Sequence, residues 1–309
     1  MELEQIKQQL AAIQKMCSDV MSQIEKIPAT NQQVQQQTVQ VVNEVRQPPP
    51  IPPHLAAIKT LIDLQDWPAA VPPQLICDDN NEQDKFNRAK GIVSVYLDEL
   101  VENKKVLDFG TGEGHLPLAV KLANASMAVG YDLYDKFSVG NDSGLLLTSD
   151  WQNVMQNGPY DIITMFDVAD HLVNETIVNV LLNLKTVLAP GGKIYVRYHP
   201  FISRHGGHLY KKLNKAFVHL VLSDEEIKQI IPDYVPEKFT GIVDPIRIYS
   251  SLPAMAGFII HKENIQQHDV EPFFEQSIIL QRILENTSYN SFPRDQMKIE
   301  FVDHVYVTQ

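Results

Sequence analysis

Residues 104–115 read Lys104-Lys105-Val106-Leu107-Asp108-Phe109-Gly110-Thr111-Gly112-Glu113-Gly114-His115. A short apolar run closes on an acid, Asp108, and three alternating glycines follow. An apolar-periodic segment comes next, through Leu116, Leu118, Ala119, Val120 and Leu122. The pattern predicts a strand, a tight loop and a helix. Glycine at alternate positions lets the backbone turn sharply and approach a ligand with no Cβ in the way. The loop opens onto a helix N-terminus, whose unpaired N–H groups favour negative charge.

A dinucleotide fingerprint would space its glycines G-x-G-x-x-G. Here the third glycine comes one residue early, and His115 stands where that fingerprint wants Gly or Ala. Working outward, Ala128-Val129-Gly130-Tyr131-Asp132 is a second short strand ending in an acid. Leu145-Leu146-Leu147-Thr148-Ser149-Asp150-Trp151 reads as a third, closing on an acid and an aromatic. Tyr160 to Asp167 is a fourth, left by Val168-Ala169-Asp170-His171-Leu172. Leu181 to Leu188 is helical, Ala189-Pro190-Gly191-Gly192 turns sharply, and Lys193 to Tyr198 is a fifth strand.

In these motifs, over roughly residues 84–200, the chain resembles the class I S-adenosylmethionine (SAM)-dependent methyltransferases. The resemblance implies an α/β fold with a doubly wound, mostly parallel seven-stranded sheet. It implies SAM as cofactor, with Asp108, Gly110, Thr111, Gly112 and Gly114 around the methionine part. Asp132 and Leu133 would then lie at the ribose, Asp150 and Trp151 at the adenine, and Asp167 beside the cofactor at the end of the fourth strand. An acid at a strand end following such a loop is suited to ribose hydroxyls.

Composition sets outer limits. The chain has 309 residues, enough for one sizeable core plus an appendage. A formal net charge of −12 argues against general nucleic-acid binding, which runs on phosphate neutralisation by Lys and Arg. The two cysteines, Cys17 and Cys77, offer no disulfide framework, so a reducing, cytoplasmic compartment is expected. Residues 1–27 are amphipathic, unlike a signal peptide. No apolar stretch is long enough to span a bilayer, so no membrane association is expected.

Residues 1–47 read as a coiled-coil extension. Leu3, Leu10, Cys17 and Ile24 share one seam position and Ile6, Ile13, Val20 and Ile27 the other. Such a stripe needs a covering helix, predicting a homo-oligomer through residues 3–27 or attachment to a larger assembly; packing on the chain's own catalytic domain is the other way to cover it. Residues 30–47 are glutamine-rich with a weaker seam. Prolines in 48–53 make a stiff spacer, leaving 54–309 as the methyltransferase-like domain. Within it, helices are expected over 54–67, 84–101, 211–222 and 273–286. Residues 254–260 resemble the small-residue turn and strand near the end of that family's fold, and a last, edge-region strand is expected over 301–307. Lys85 and Arg88 on the helix over 84–101 are read as solvated charges, with a substrate role as the alternative.

The segment after the fifth strand, His199 to Tyr210, is rich in imidazole, guanidinium and glycine. No acid occurs between Ile194 and Leu222, whereas Arg197, Arg204, Lys211, Lys212 and Lys215 do. In a chain of net negative charge that local reversal points to an anionic group. Arg204, able to grip phosphate or carboxylate bidentately, is expected to bind the acceptor with His208 and Tyr210. Candidate bases are Asp167, His171, His199 and His205. His205-x-x-His208, with His199 and Asp170 or His171, is also a possible metal set. The intervening Gly206-Gly207 argues against the helical turn that would pair His205 with His208, so no metal is assigned. The sequence therefore leaves two readings. One is an active methyltransferase with an unidentified, anionic acceptor. The other is a non-catalytic protein of this fold, virion-associated for example, assembled through its coiled coil.

Overall fold

A computed structural model describes residues 67–76, 81–97, 101–172, 174–235, 251–269 and 294–309, with isolated positions between 53 and 63 and at 281 and 283. The expected coiled coil, proline spacer, 54–67 helix and 273–286 helix lie outside the described stretches. By its contacts the chain divides into Met1–Ile58 and Lys59–Gln309, and the sheet with its helices belongs to the second unit.

The elements are α1 (Glu82–Tyr96), β1 (Lys105–Phe109), α2 (His115–Leu122), β2 (Met127–Tyr131), β3 (Leu145–Thr148), α3 (Trp151–Asn157), β4 (Tyr160–Phe166), α4 (Asn174–Val187), β5 (Leu188–Tyr198), α5 (Val218–Val221), α6 (Asp224–Ile230), β6 (Phe258–Gln267) and β7 (Ile299–Thr308). They build one seven-stranded sheet in the order β3-β2-β1-β4-β5-β7-β6. The first five strands pair in parallel, and β7 runs antiparallel to both its neighbours.

The period-two alternation of strand side chains sorts the apolar residues onto two faces. Leu107, Val129, Ile163 and Val196 pack with Val154 of α3 and Ile177, Leu181 and Leu184 of α4. Their chain neighbours Val106, Ala128, Ile162 and Tyr195 pack with Ala89 of α1 and Leu116, Ala119 and Val120 of α2. Both faces are thus covered, as the near-continuous apolar runs in β1, β2 and β4 require. Strand order reverses between β1 and β4. In such sheets ligands bind outside the carboxyl ends of the strands at that reversal, and Asp108 and Asp167 stand on either side of it.

Several local expectations are corrected. The helix before β1 ends at Tyr96 rather than Val101; Leu97 turns to extended backbone and is buried. The third strand stops at Thr148, because Asp150 accepts the Gln152 N–H and starts α3. The Ala189–Gly192 turn is an irregularity within β5, whose pairing with β4 jumps from Tyr160↔Leu188 to Ile162↔Lys193. The 211–222 helix is broken into a 3-10 turn at Leu209–Lys211 and the short α5, with Phe217 in left-handed backbone at φ 60°. Long-range bonds take the intervening backbone: Asn214 exchanges two hydrogen bonds with the Val71 main chain at 2.9 and 2.8 Å. The Ala216 carbonyl accepts from the Trp67 indole at 2.9 Å, and its N–H donates to Pro68. Finally, β7 is the last strand, in the edge region of the sheet as expected but one place in from the edge. It fills the gap between β5 and β6, and the consecutive buried residues His304, Val305 and Tyr306 reflect cover on both faces.

Candidate functional site

The loop after β1 is built by its glycines. Gly110, Gly112 and Gly114 all have positive φ (80°, 57° and 94°), a region L-residues enter at a cost of roughly 1–2 kcal/mol. A Cβ on Gly110 would collide with Val168, and one on Gly114 with Leu147; a Cβ on Gly112 would point into open space. The first and last glycines therefore serve close packing, and the middle one keeps a cradle open. The Gly112 N–H donates to Asp132 Oδ2 at 2.9 Å, and Asp132 Oδ1 accepts from the Tyr134 N–H at 3.1 Å. Asp132 thus braces the glycine loop through one carboxylate oxygen and its own turn after β2 through the other.

Asp108 lies at the floor, buried, with its Oδ1 accepting from the Thr164 hydroxyl at 2.7 Å. Burial pushes its carboxyl up to about 6, against the Thr164 and Thr111 hydroxyls, which lower it; the Asp132 charge adds to the rise. A cationic ligand group would relieve that penalty. The loop is tied to α1 by a surface network: Lys85 bridges Glu82 at 2.8 Å and Glu113 at 2.6 Å, and Glu82 also meets His115 at 2.9 Å. These partners, Lys85 foremost, hold Glu82 down at about 2. Together Asp108, the loop and α1 enclose a cavity of about 330 Å³, with Arg88, Phe166 and Asp167 at its far side.

Arg88 and Asp167 form an ion pair of 2.8 Å that also borders two further cavities. One, of about 400 Å³, is lined by Tyr96, Arg197, His199, His205, Tyr210 and Phe301 among others. The other, of about 720 Å³, holds His171, His199, His208, Tyr210, Lys211 and Lys212. Asp167 leaves β4 at φ 54°, its N–H donating to the Arg197 carbonyl at 2.9 Å. A non-glycine residue in this conformation is a mark of functional sites. Arg197 is stacked between Tyr96 and Phe301, its guanidinium carbon 4.2 and 4.0 Å from the ring centres.

The imidazoles gather around Asp170. His171, His199 and His208 approach its Oδ2 at 3.6, 3.5 and 3.7 Å. His199 and His208 meet through their Nε2 atoms, and the His199 ring centre lies 4.8 Å from that of His205. Burial, then the neighbouring imidazoles, holds His199 well below the usual histidine range; the same causes bring His205 down to about 3. Both are uncharged at neutral pH, and His205 is a weak proton acceptor.

Residues 82–231 match a family model described as a methyltransferase domain. This half of the chain is therefore similar to a methyltransferase domain. Solved structures similar to the chain include the pyocyanin biosynthetic protein PhzM, at 15% identity and TM-score 0.42 over 74% of this chain and 56% of that one. Another is a magnesium protoporphyrin IX methyltransferase from Synechocystis PCC 6803, at 14% identity and TM-score 0.43 over 74% and 88%. A third is a SAM-dependent methyltransferase from Mesorhizobium loti, at 13% identity and TM-score 0.43 over 71% and 97%. The chain thus spans little more than half the length of the first. No curated protein matches the sequence.

Within residues 82–231, the structure brings Asp108, Gly110, Thr111, Gly112 and Asp167 together on one cavity. Asp132, Leu133, Asp150 and Trp151 lie beyond it, at the carboxyl ends of β2 and β3. Trp151 packs edge-on to Tyr131, ring centres 5.3 Å apart, and Leu133 is exposed. Asp150 already has a structural task as N-cap of α3. Asp150→Ala is expected to lower stability by about 1 kcal/mol in urea unfolding, and Asp150→Asn, which retains the cap, to lower it far less.

On the other side, Asp167, His171, His199, His205, His208 and Tyr210 all line the two larger cavities. Arg204 departs from them: its Nη2 donates to the Ala69 carbonyl at 2.6 Å. The residue that sequence reading set aside is Arg88. Its only local signal was a second cation one turn beyond Lys85 on the helix before the glycine loop. Among the described residues no helix is long and apolar enough to cross a membrane.

Proposed function

We propose that this chain transfers the methyl group of SAM to an anionic acceptor held beyond the Arg88–Asp167 pair. The observation that carries this reading is that one ion pair borders both the glycine-loop cavity and the imidazole-lined cavities. SAM, when bound, supplies a methyl group on a sulfonium sulfur, so the leaving group is built in. The protein then has to position the acceptor and take up its proton.

The residues present fit that cofactor. Asp108, raised by burial, is satisfied by an ammonium; the open space at Gly112 admits the methionine chain; Asp132 has lone pairs left for ribose hydroxyls; Asp150, Trp151 and Leu133 frame the adenine. For the proton, Asp167 is the best placed of the four candidates, since it borders all three cavities. His171 is exposed, and burial makes both His199 and His205 poor acceptors. Acceptor binding falls to His208 and Tyr210, with Arg88 and Lys211 replacing Arg204 as the source of positive charge.

Calorimetry with SAM and its demethylated product tests the reading. Both are expected to bind at micromolar protein concentrations, and Asp132→Ala to abolish the heat. No heat with either ligand would sink the catalytic reading and leave a scaffold of the same fold.

A further inference from the structure

Three side chains from different parts of the chain converge where the two β-strand ends of the acceptor side meet. Asp170 sits on the turn after β4, His199 directly after β5, and His208 nine residues later in left-handed backbone at φ 53°. Each offers one ligand atom, and these atoms lie within 4.8 Å of one another. A tetrahedral cation with bonds of about 2.1 Å holds its ligand atoms about 3.4 Å apart. The separations from Asp170 Oδ2 to His199 Nε2 and His208 Nε2, 3.5 and 3.7 Å, are close to that value. The Nε2 atoms of His199 and His208 face each other, so both imidazoles and the carboxylate converge on one point.

We propose that Asp170, His199 and His208 form a site for one divalent first-row cation, Zn²⁺ among them, with an open coordination position toward the 720 Å³ cavity. Two imidazoles and a carboxylate suit such ions, and three protein ligands with a vacant position is the arrangement of reactive rather than structural sites. The pairing is not the one that the His205-x-x-His208 spacing brings to mind: His208 meets His199, and His205 stacks behind it, 5.1 Å from the Phe301 ring. His171 stands beside the site, its ring centre 5.0 Å from that of His208.

The role we assign, holding an oxygen of the acceptor and lowering its pKa, rests on the methyl-transfer reading above. The site itself is tested without cofactor. The full chain, free of an affinity tag and stripped with chelator, is titrated calorimetrically with Zn²⁺ alone. One ion per chain is expected. His208→Asn, whose side chain tolerates left-handed backbone and does not reach the site, is expected to weaken binding at least tenfold without lowering the melting temperature. Asp170→Asn should weaken it as well, and His261→Gln, on the exposed face of β6, should not. Absence of Zn²⁺ binding, wild-type affinity in His208→Asn, or loss in His261→Gln would each overturn the site. Failure here with SAM binding intact removes this inference alone, and the converse removes only the proposed function.

Discussion

Gly112→Val is expected to cost at least about a hundredfold in SAM affinity, on the order of 3 kcal/mol, while the domain still folds. The reasoning is geometric. At φ 57° the new side chain would strain the backbone, at roughly 1–2 kcal/mol, but its Cβ would meet no atom within 4 Å. The isopropyl group therefore enters the space that the methionine chain needs and displaces nothing of the protein. Gly114→Ala makes the contrast. Its Cβ would run into Leu147, so a smaller substitution is expected to lower the melting temperature more, by the overpacking cost of roughly 1–3 kcal/mol added to backbone strain. Thermal melting paired with calorimetry reads both quantities. Undiminished SAM binding by Gly112→Val would mean that the cradle is not where the cofactor lies.

The second large effect is one of pH. Asp108 has its carboxyl pushed up to about 6, above the ordinary carboxylate value, by burial. Its proton is therefore held more tightly in the folded than in the unfolded chain. The ligand-free domain thus loses stability from this group as pH rises from about 4 to about 6, and the loss then levels off. Cofactor binding has the opposite sign, because a cationic amine selects the ionised carboxylate. SAM affinity should fall as pH drops below about 6, approaching tenfold per unit. Asp108→Asn is expected to bind weakly at neutral pH, to show no such slope, and to melt no lower than wild type without ligand. Titrations between pH 5 and 7.5 decide it; a slope that persists in Asp108→Asn would assign the proton elsewhere.

Legibility from the chain alone tracks the range of the interactions. The glycine loop, its flanking strand and helix and the acids closing β1, β2 and β4 are local. Their backbone demands appear within a dozen residues, and the loop folds as its spacing predicts. The doubly wound sheet was legible only through the resemblance that these local motifs carry, in their order along the chain. What failed to show is what depends on distant partners. Arg88 looks like any helix-surface cation until Asp167, 79 positions away, closes on it. Residues 211–222 have helical periodicity, but nothing near them announces that Val71 and Trp67 will take their backbone. Arg204 fits an anion clamp by composition, and only the fold turns it onto Ala69. His199 and His208 are neighbours because a run of turns folds back, which the spacing of His205 and His208 obscured.

The strap formed by Trp67, Pro68 and Val71 against Asn214 and Ala216 bears on where the folded unit begins. The stretch that matches the family model opens at residue 82, yet Trp67, only 2% exposed, is packed against Ala216. A fragment trimmed to the recognisable region would leave a hole the size of an indole there, a loss of roughly 3–5 kcal/mol, and would strip β6 and β7 from the open side of the sheet. The smallest autonomous unit thus reaches from ahead of Trp67 to the last strand.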